Sequence, residues 1–186
     1  MAKRPTMAEV QALGASEKRK SNRCDGGETQ SRLGRDLEQR LDAQHAFYQT
    51  ARRGVMVRQY PKAIYQKGGG VIQGRAVVDY LGFVDGVSVA LEAKRCASGR
   101  LVLGDASKVE RHQVEFLDWW AMCKGVAIYV VAFGEKPLGD CVVVPAAAVV
   151  RALRDGVRSW SEEHALAAGV ACRGTDWANA LGRLAK

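Results

Sequence analysis

What the sequence lacks first is acid. Between Ala43 and Val78 there is no Asp or Glu, while Arg52, Arg53, Arg58, Lys62, Lys67 and Arg75 fall there among Phe47, Tyr48, Tyr60 and Tyr65. The whole chain leans the same way, with 28 Lys and Arg against 20 Asp and Glu, a formal charge of +8. That balance favours a polyanionic partner over an acidic surface or a neutral ligand. Long apolar runs are also missing. The longest, Val126 to Phe133, falls far short of the ~18 residues that cross a bilayer, and the polar N-terminus has no signal-peptide core. The expectation is a soluble, cytoplasmic protein with no membrane partner. The five cysteines (Cys24, Cys96, Cys123, Cys141 and Cys172) are odd in number, scattered and never spaced as CxxC. That pattern suggests neither a disulfide framework nor a zinc knuckle, and the thiols read as reduced, mostly core filler. Neither His45 nor His164 has a metal-ligand companion at useful spacing, which disfavours zinc. What is present is 186 residues, 47% hydrophobic, enough for one compact domain with a core and unpacked ends.

Along the chain, residues 1–30 mix Lys3, Arg4, Lys18, Arg19, Lys20 and Arg23 with Ser, Gly and Asn, and read as a flexible basic arm. Leu33, Leu37 and Leu41 then recur every four residues after Ser31, a candidate N-cap, so a helix is predicted over Arg32–Gln49. The acid-free segment contains Gly68-Gly69-Gly70, which suggests a mobile projection, about residues 57–75, between two strands. Strands are predicted over Ala76–Val84 and Val87–Arg95, joined by Asp85-Gly86, a strong two-residue hairpin signal. Ser107 and Glu110 form a candidate capping box for a helix over Lys108–Lys124, with Val109, Gln113, Phe116, Leu117 and Trp120 on one face. Gly125–Phe133 and Asp140–Val144 read as further strands, and Pro145 suits the first turn of a helix reaching Arg154. The main domain is therefore bounded at 31–155, with 156–186 expected as a peripheral helical segment. No internal repeat is present.

The chemistry lies in the hairpin. A two-residue loop at Asp85-Gly86 opposes residues whose numbers sum to 171, so Asp79 faces Glu92. Glu92 and Lys94 share one face, opposite Val87, Val89, Leu91 and Ala93. Two carboxylates roughly 4.5–5.5 Å apart at Cβ repel unless a positive charge lies between them. A hard divalent ion such as Mg²⁺ resolves that conflict and keeps open sites for phosphate and water, with the Ala93 carbonyl a further candidate ligand. Lys94 then stands beside the ion, where an ammonium can orient the water and offset charge on the transition state. The plainer alternative is a pair of surface carboxylates on the wet face of a hairpin with Lys94 as a cross-strand partner. Glu38 sits at the edge of the first helix's apolar stripe, either reaching a site or flanking it in solvent. Gln113 lies within an apolar helix face, an odd place for an amide without a buried polar partner. His112 points elsewhere, toward the surface or DNA.

Taken together, the residues resemble the RecU-type Holliday junction resolvases of Gram-positive bacteria and their phages, within the PD-(D/E)xK nuclease superfamily. The features that carry the resemblance are Leu33-Gly34 through Glu38, Tyr60-Pro61-Lys62, Val78-Asp79-Tyr80-Leu81-Gly82, Leu91-Glu92-Ala93-Lys94 and Arg111-His112-Gln113, in the family's order. Val78 stands where relatives commonly carry a hydroxyl residue, and the projection is shorter. The resemblance implies an α/β fold with a restriction-endonuclease-like core, a mixed central sheet flanked by helices, and a protruding basic stalk. It also implies a homodimer, in a bacterial or phage-infected cell, that nicks opposing strands of a four-way DNA junction. It implies that Asp79 and Glu92 hold Mg²⁺ (with Mn²⁺ able to substitute), that Lys94 and Glu38 assist the water, and that Gln113 supports the site. Phosphate contacts fall to Arg58, Lys62, Lys67 and Arg75, and stacking on branch-point bases to Tyr60 and Tyr65. Two other nucleic-acid roles stay open on the residues alone, a repair or restriction nuclease of the same superfamily and a non-catalytic DNA-binding or annealing protein. An RNA-binding accessory protein is a weaker third.

Overall fold

The computed structural model describes residues 26–60, 63–65, 71–73, 76–103, 109–134 and 139–184. Its elements in chain order are α1 (Gly26–Thr50), β1 (Gly54–Arg58), β2 (Ala63–Tyr65), β3 (Val71–Gln73), β4 (Tyr80–Val84), β5 (Val87–Cys96) and β6 (Arg100–Val102). They continue with α2 (Arg111–Met122), β7 (Val126–Phe133), β8 (Cys141–Pro145), α3 (Ala146–Arg154), β9 (Ser159–Ser161), α4 (Glu162–Ala168), β10 (Val170–Cys172) and α5 (Trp177–Leu184). Six strands form one mixed sheet in the order β1-β4-β5-β7-β8-β10, in which only β5 and β7 run parallel. The parallel pair requires a crossover, and α2 lies within it.

Apolar side chains on both faces of the sheet are buried, which is why β7 is a continuous apolar run rather than an alternating one. Ile128, Val130 and Ala132 join Leu37 and Leu41 of α1, Leu91 of β5 and Trp177 of α5 on one face. Tyr129 and Val131 join Ala90, Leu117 of α2, Val149 of α3 and Trp160 on the other. The sheet is thus a middle layer, with α1 and α5 on one side and α2 and α3 on the other.

The β4–β5 hairpin has the expected register, from Tyr80↔Leu91 to Val84↔Val87. Asp85 and Gly86 take φ values of 52° and 80°, the left-handed pair that a type I′ turn needs. Arg53 ties the turn down, donating to Asp85 Oδ1 from Nε at 3.1 Å and to Oδ2 from Nη2 at 2.6 Å. At the β1–β4 contact the backbones approach so closely that a Cβ on Gly82 would lie 2.0 Å from the Val55 carbonyl oxygen.

Several boundaries differ from the sequence expectation. The first helix begins at Gly26, so Ser31 lies inside it and not at its cap. Nothing between Gly26 and Gln30 is incompatible with a helix, which the apolar period alone does not reveal. Of the arm expected over 1–30, residues 1–25 lie outside those described. Ala76–Asp79 is not strand, because Asp79 spends its carboxylate on a backbone amide of the neighbouring strand. The second helix is capped by Glu110 rather than by Ser107, which lies outside the described residues. The last segment is neither peripheral nor wholly helical. It supplies strand β10 to the main sheet and, through Trp177, a fully buried side chain to the core. No helix among the described residues is long and apolar enough to cross a membrane.

Candidate active site

One step past the last β4–β5 pair, side chains take over from the backbone ladder. The Asp79 N–H donates to Glu92 Oε2 at 3.1 Å, and Asp79 Oδ2 accepts the Ala93 N–H at 2.8 Å. The two carboxylates therefore face each other where the hairpin register puts them, each held by the other strand. Lys94 Nζ lies 2.7 Å from Glu92 Oε1, and the Gln113 amide nitrogen donates to the same oxygen at 2.6 Å. Gln113 Oε1 in turn accepts from Lys94 Nζ at 3.0 Å. Four of the five expected catalytic residues, Asp79, Glu92, Lys94 and Gln113, are thus joined in one hydrogen-bonded knot.

Helix α2 and strand β5 together fix Gln113 at both ends of its amide. Glu110 is the N-cap, and Gln113, three positions on, accepts the Glu110 N–H through Oε1 at 3.2 Å, the return half of a capping box. The amide that looked misplaced on an apolar face thus starts the helix and clamps the acid and the amine. His112 stands apart from this knot, half-buried between Glu110 and the Ala76 carbonyl.

Burial decides against the surface-carboxylate alternative. Glu92 is 1% exposed and the Lys94 side chain 11%. Removal from water pushes the Glu92 carboxyl up to about 8, with Lys94 opposing that rise and Asp79 adding to it. Burial also raises Asp79, against the Ala93 N–H, Lys94 and Arg58. One ammonium does not offset two buried acids, so the pair suits additional positive charge. Among the described residues no group of three or more His, Cys, Asp and Glu side chains is placed to hold a metal. Two hard carboxylates nevertheless fit Mg²⁺, which keeps most of its hydration, better than they fit zinc.

Glu38 is not in that knot. It is ion-paired with Arg58 Nη2, and Arg58 Nη1 reaches Asp42 Oδ2 at 3.0 Å. Tyr80 donates its hydroxyl proton to Asp42 Oδ1 at 2.7 Å and lies 3.2 Å from the Glu38 carbonyl. The Arg58 charge is felt by Glu38 and by Asp79 alike, so the guanidinium connects the two parts of the site. Sequence reasoning placed Arg58 on DNA and missed Asp42, although Asp42 follows Glu38 by four residues on one helix flank, the spacing at which one arginine can reach both. Tyr129 was also missed. It is the register partner of Glu92 on β7, interacts with it electrostatically, and its buried hydroxyl has no hydrogen-bond partner among the described residues. Only the strand order could have revealed it.

Of the expected DNA contacts, Tyr60 is 72% exposed with the Arg58 guanidinium 5.6 Å from its ring centroid. Tyr65 lies in β2, which pairs with β3 as a two-stranded ribbon of its own. Lys62, Lys67 and Arg75 lie outside the described residues.

The chain matches the family described as RecU, recombination protein U, over residues 32–155. No curated protein matches it. Among solved structures it is similar to Archaeoglobus fulgidus Hjc, a Holliday junction resolvase from an archaeal hyperthermophile, at 14% identity and a TM-score of 0.42, covering 76% of this chain and 89% of that one.

Proposed function

This chain belongs to the RecU family, a family of Holliday junction resolvases, and on that premise we propose that Asp79, Glu92, Lys94, Gln113 and Glu38 make a Mg²⁺-dependent centre that nicks opposing strands of a four-way DNA junction. The observation that carries the reading is the buried knot in which Glu92 Oε1 meets both Lys94 Nζ and the Gln113 amide. Asp79 and Glu92 are the ion's protein ligands, with Mn²⁺ an acceptable substitute. When bound, the ion makes water more acidic and neutralises charge on the scissile phosphate.

The remaining work falls to the side chains. Gln113 keeps Glu92 and Lys94 from turning away. Lys94 donates to the attacked phosphate and offsets the charge that grows there, leaving a 5′-phosphate and a 3′-hydroxyl. Glu38 accepts a proton from the attacking water once a DNA phosphate competes for the Arg58 guanidinium that now holds it. Arg58, Lys62, Lys67 and Arg75 position the backbone without reading bases, Tyr60 and Tyr65 stack on unpaired bases, and the β2–β3 ribbon is the base of a stalk that enters the junction. Two symmetric nicks need two centres, which a closed two-fold dimer supplies. The outward face of β1 and β4 suits the second copy, because Val55, Val57 and Phe83 lie there exposed to 49%, 55% and 64%. Such a protein acts in the cytoplasm of a bacterial or phage-infected cell.

The test is a Mg²⁺ titration on a labelled four-way junction, with linear duplex and flap DNA alongside. Paired nicks on the junction are expected, falling by at least ~100-fold in Asp79→Asn, Glu92→Gln and Lys94→Ala while junction binding persists. Undiminished cleavage in the acid variants would rule out this centre, and equal cleavage of linear duplex would rule out junction selectivity.

A further inference from the structure

The far edge of the sheet carries a second pair of reactive groups that the nuclease reading does not use. Strands β8 and β10 run antiparallel with Cys141 and Cys172 as direct partners, so both side chains leave the same face of the sheet. Both residues are 1% exposed, in the apolar layer that also holds Val143 and Trp177. The thiols contact each other. Their hydrogen-bonded contact lowers the Cys172 thiol and raises Cys141. Cys172 in turn donates to the Gly174 carbonyl at 3.4 Å. One thiol made more acidic by its neighbour is the arrangement of a reactive dithiol, with Cys172 as attacking sulfur and Cys141 as resolving sulfur.

Access comes from the edge. β10 has three residues and, among the described residues, pairs on one side only, with β8, so the pair lies at the end strand of the sheet, where local opening is commoner than at its centre. Cys96 lies in the core on the opposite face, and Cys123 is exposed on the turn after α2, so neither competes for the pair by position.

We propose that Cys141 and Cys172 form a reversible cross-strand disulfide in the presence of a peroxide. The Cys172 thiolate attacks one peroxide oxygen, breaking the O–O bond to give a sulfenic acid and one water. The Cys141 sulfur then displaces the sulfenic oxygen as a second water, forming the S–S bond. Two thiols are oxidised by two electrons, and hydrogen peroxide is reduced to two waters. A dithiol reductant reverses the step. In a reducing cytoplasm such a bond is transient, and while present it ties β10, and α5 beyond it, to the sheet.

The full-length protein is treated with hydrogen peroxide, its remaining thiols are blocked in denaturant, and it is mapped by mass spectrometry without reductant. The expected result is the loss of both the Cys141 and the Cys172 thiol, a peptide containing Cys141 joined to one containing Cys172, a linkage two hydrogens lighter than the two free peptides, and its full reversal with dithiothreitol. Repeating the map in Cys24→Ser/Cys123→Ser protein should leave the linkage unchanged, and Cys172→Ser should abolish it. Cys141 and Cys172 both remaining titratable at a dose that oxidises Cys123 would overturn the proposal. So would a linkage made only through Cys24 or Cys123, or oxidation of Cys172 to sulfinic acid without cross-linking. Because the readout is covalent, it is independent of whether the protein cleaves junctions.

Discussion

Glu92 is a carboxyl that the fold holds protonated well above its ordinary range, and that has a measurable consequence for stability. A group whose folded value is raised, from 4.5 to about 8 here, favours the fold fully below the lower figure and loses that contribution as pH rises through the upper one. Asp79 is shifted the same way. His45, which accepts the Trp177 indole N–H at 3.0 Å and is pushed down to about 4 chiefly by burial, acts in the other direction. Its contribution is lost as pH falls below its ordinary 6.5. Between pH 6.5 and 8 the acids therefore dominate. Thermal melts of metal-free protein should fall in Tm across that window, Glu92→Gln should flatten the slope, and added Mg²⁺ should stabilise the wild type more at pH 8 than at pH 6.5. A Glu92→Gln protein with the full wild-type slope would contradict the assignment.

Among the elements, the β1–β4 contact is the least forgiving. A methyl group on Gly82 would meet the Val55 carbonyl oxygen at 2.0 Å and the Met56 Cα at 2.8 Å, both backbone atoms that cannot turn aside. Gly82→Ala is expected to cost ~1–3 kcal/mol as an overpacking change, read as a lowered urea midpoint. It should also weaken cleavage more than junction binding, because Asp79 lies three residues back on the same segment. The hairpin was legible in the sequence because a two-residue Asp-Gly turn fixes register by local rules, and that register alone brought Asp79 to Glu92. Gln113 was legible as an amide where the pattern asked for an apolar residue. The Glu38–Arg58–Asp42 cluster was not, since it depends on how α1 lies across β1, and a helix flank looks the same in solvent or at a site. Strands β9 and β10 were not legible either. Three residues are too few to show a period of two.

At the scale of the whole molecule, the last described helix completes a core that begins with the first. Trp177 is fully buried and packs edge-on against His45 and Tyr48 of α1. Trp177→Ala should cost about 3–5 kcal/mol in chemical denaturation and should reduce cleavage although Trp177 is remote from the acids, because α1 carries Glu38. The exposed β1–β4 face yields a second expectation. If the proposed dimer forms through that face, Phe83→Asp should sediment as a monomer in analytical ultracentrifugation and replace paired nicks with single ones, and an unchanged sedimentation coefficient would remove that face as the interface. The bond between Trp177 and His45 spans 132 positions of sequence, and contacts of such separation form late. On the ribosome, α1 emerges long before Trp177 does. A chain interrupted before Trp177 would therefore leave His45 and Tyr48 of α1 without the ring that covers them, although Leu37 and Leu41 would already have their seat on the central strands.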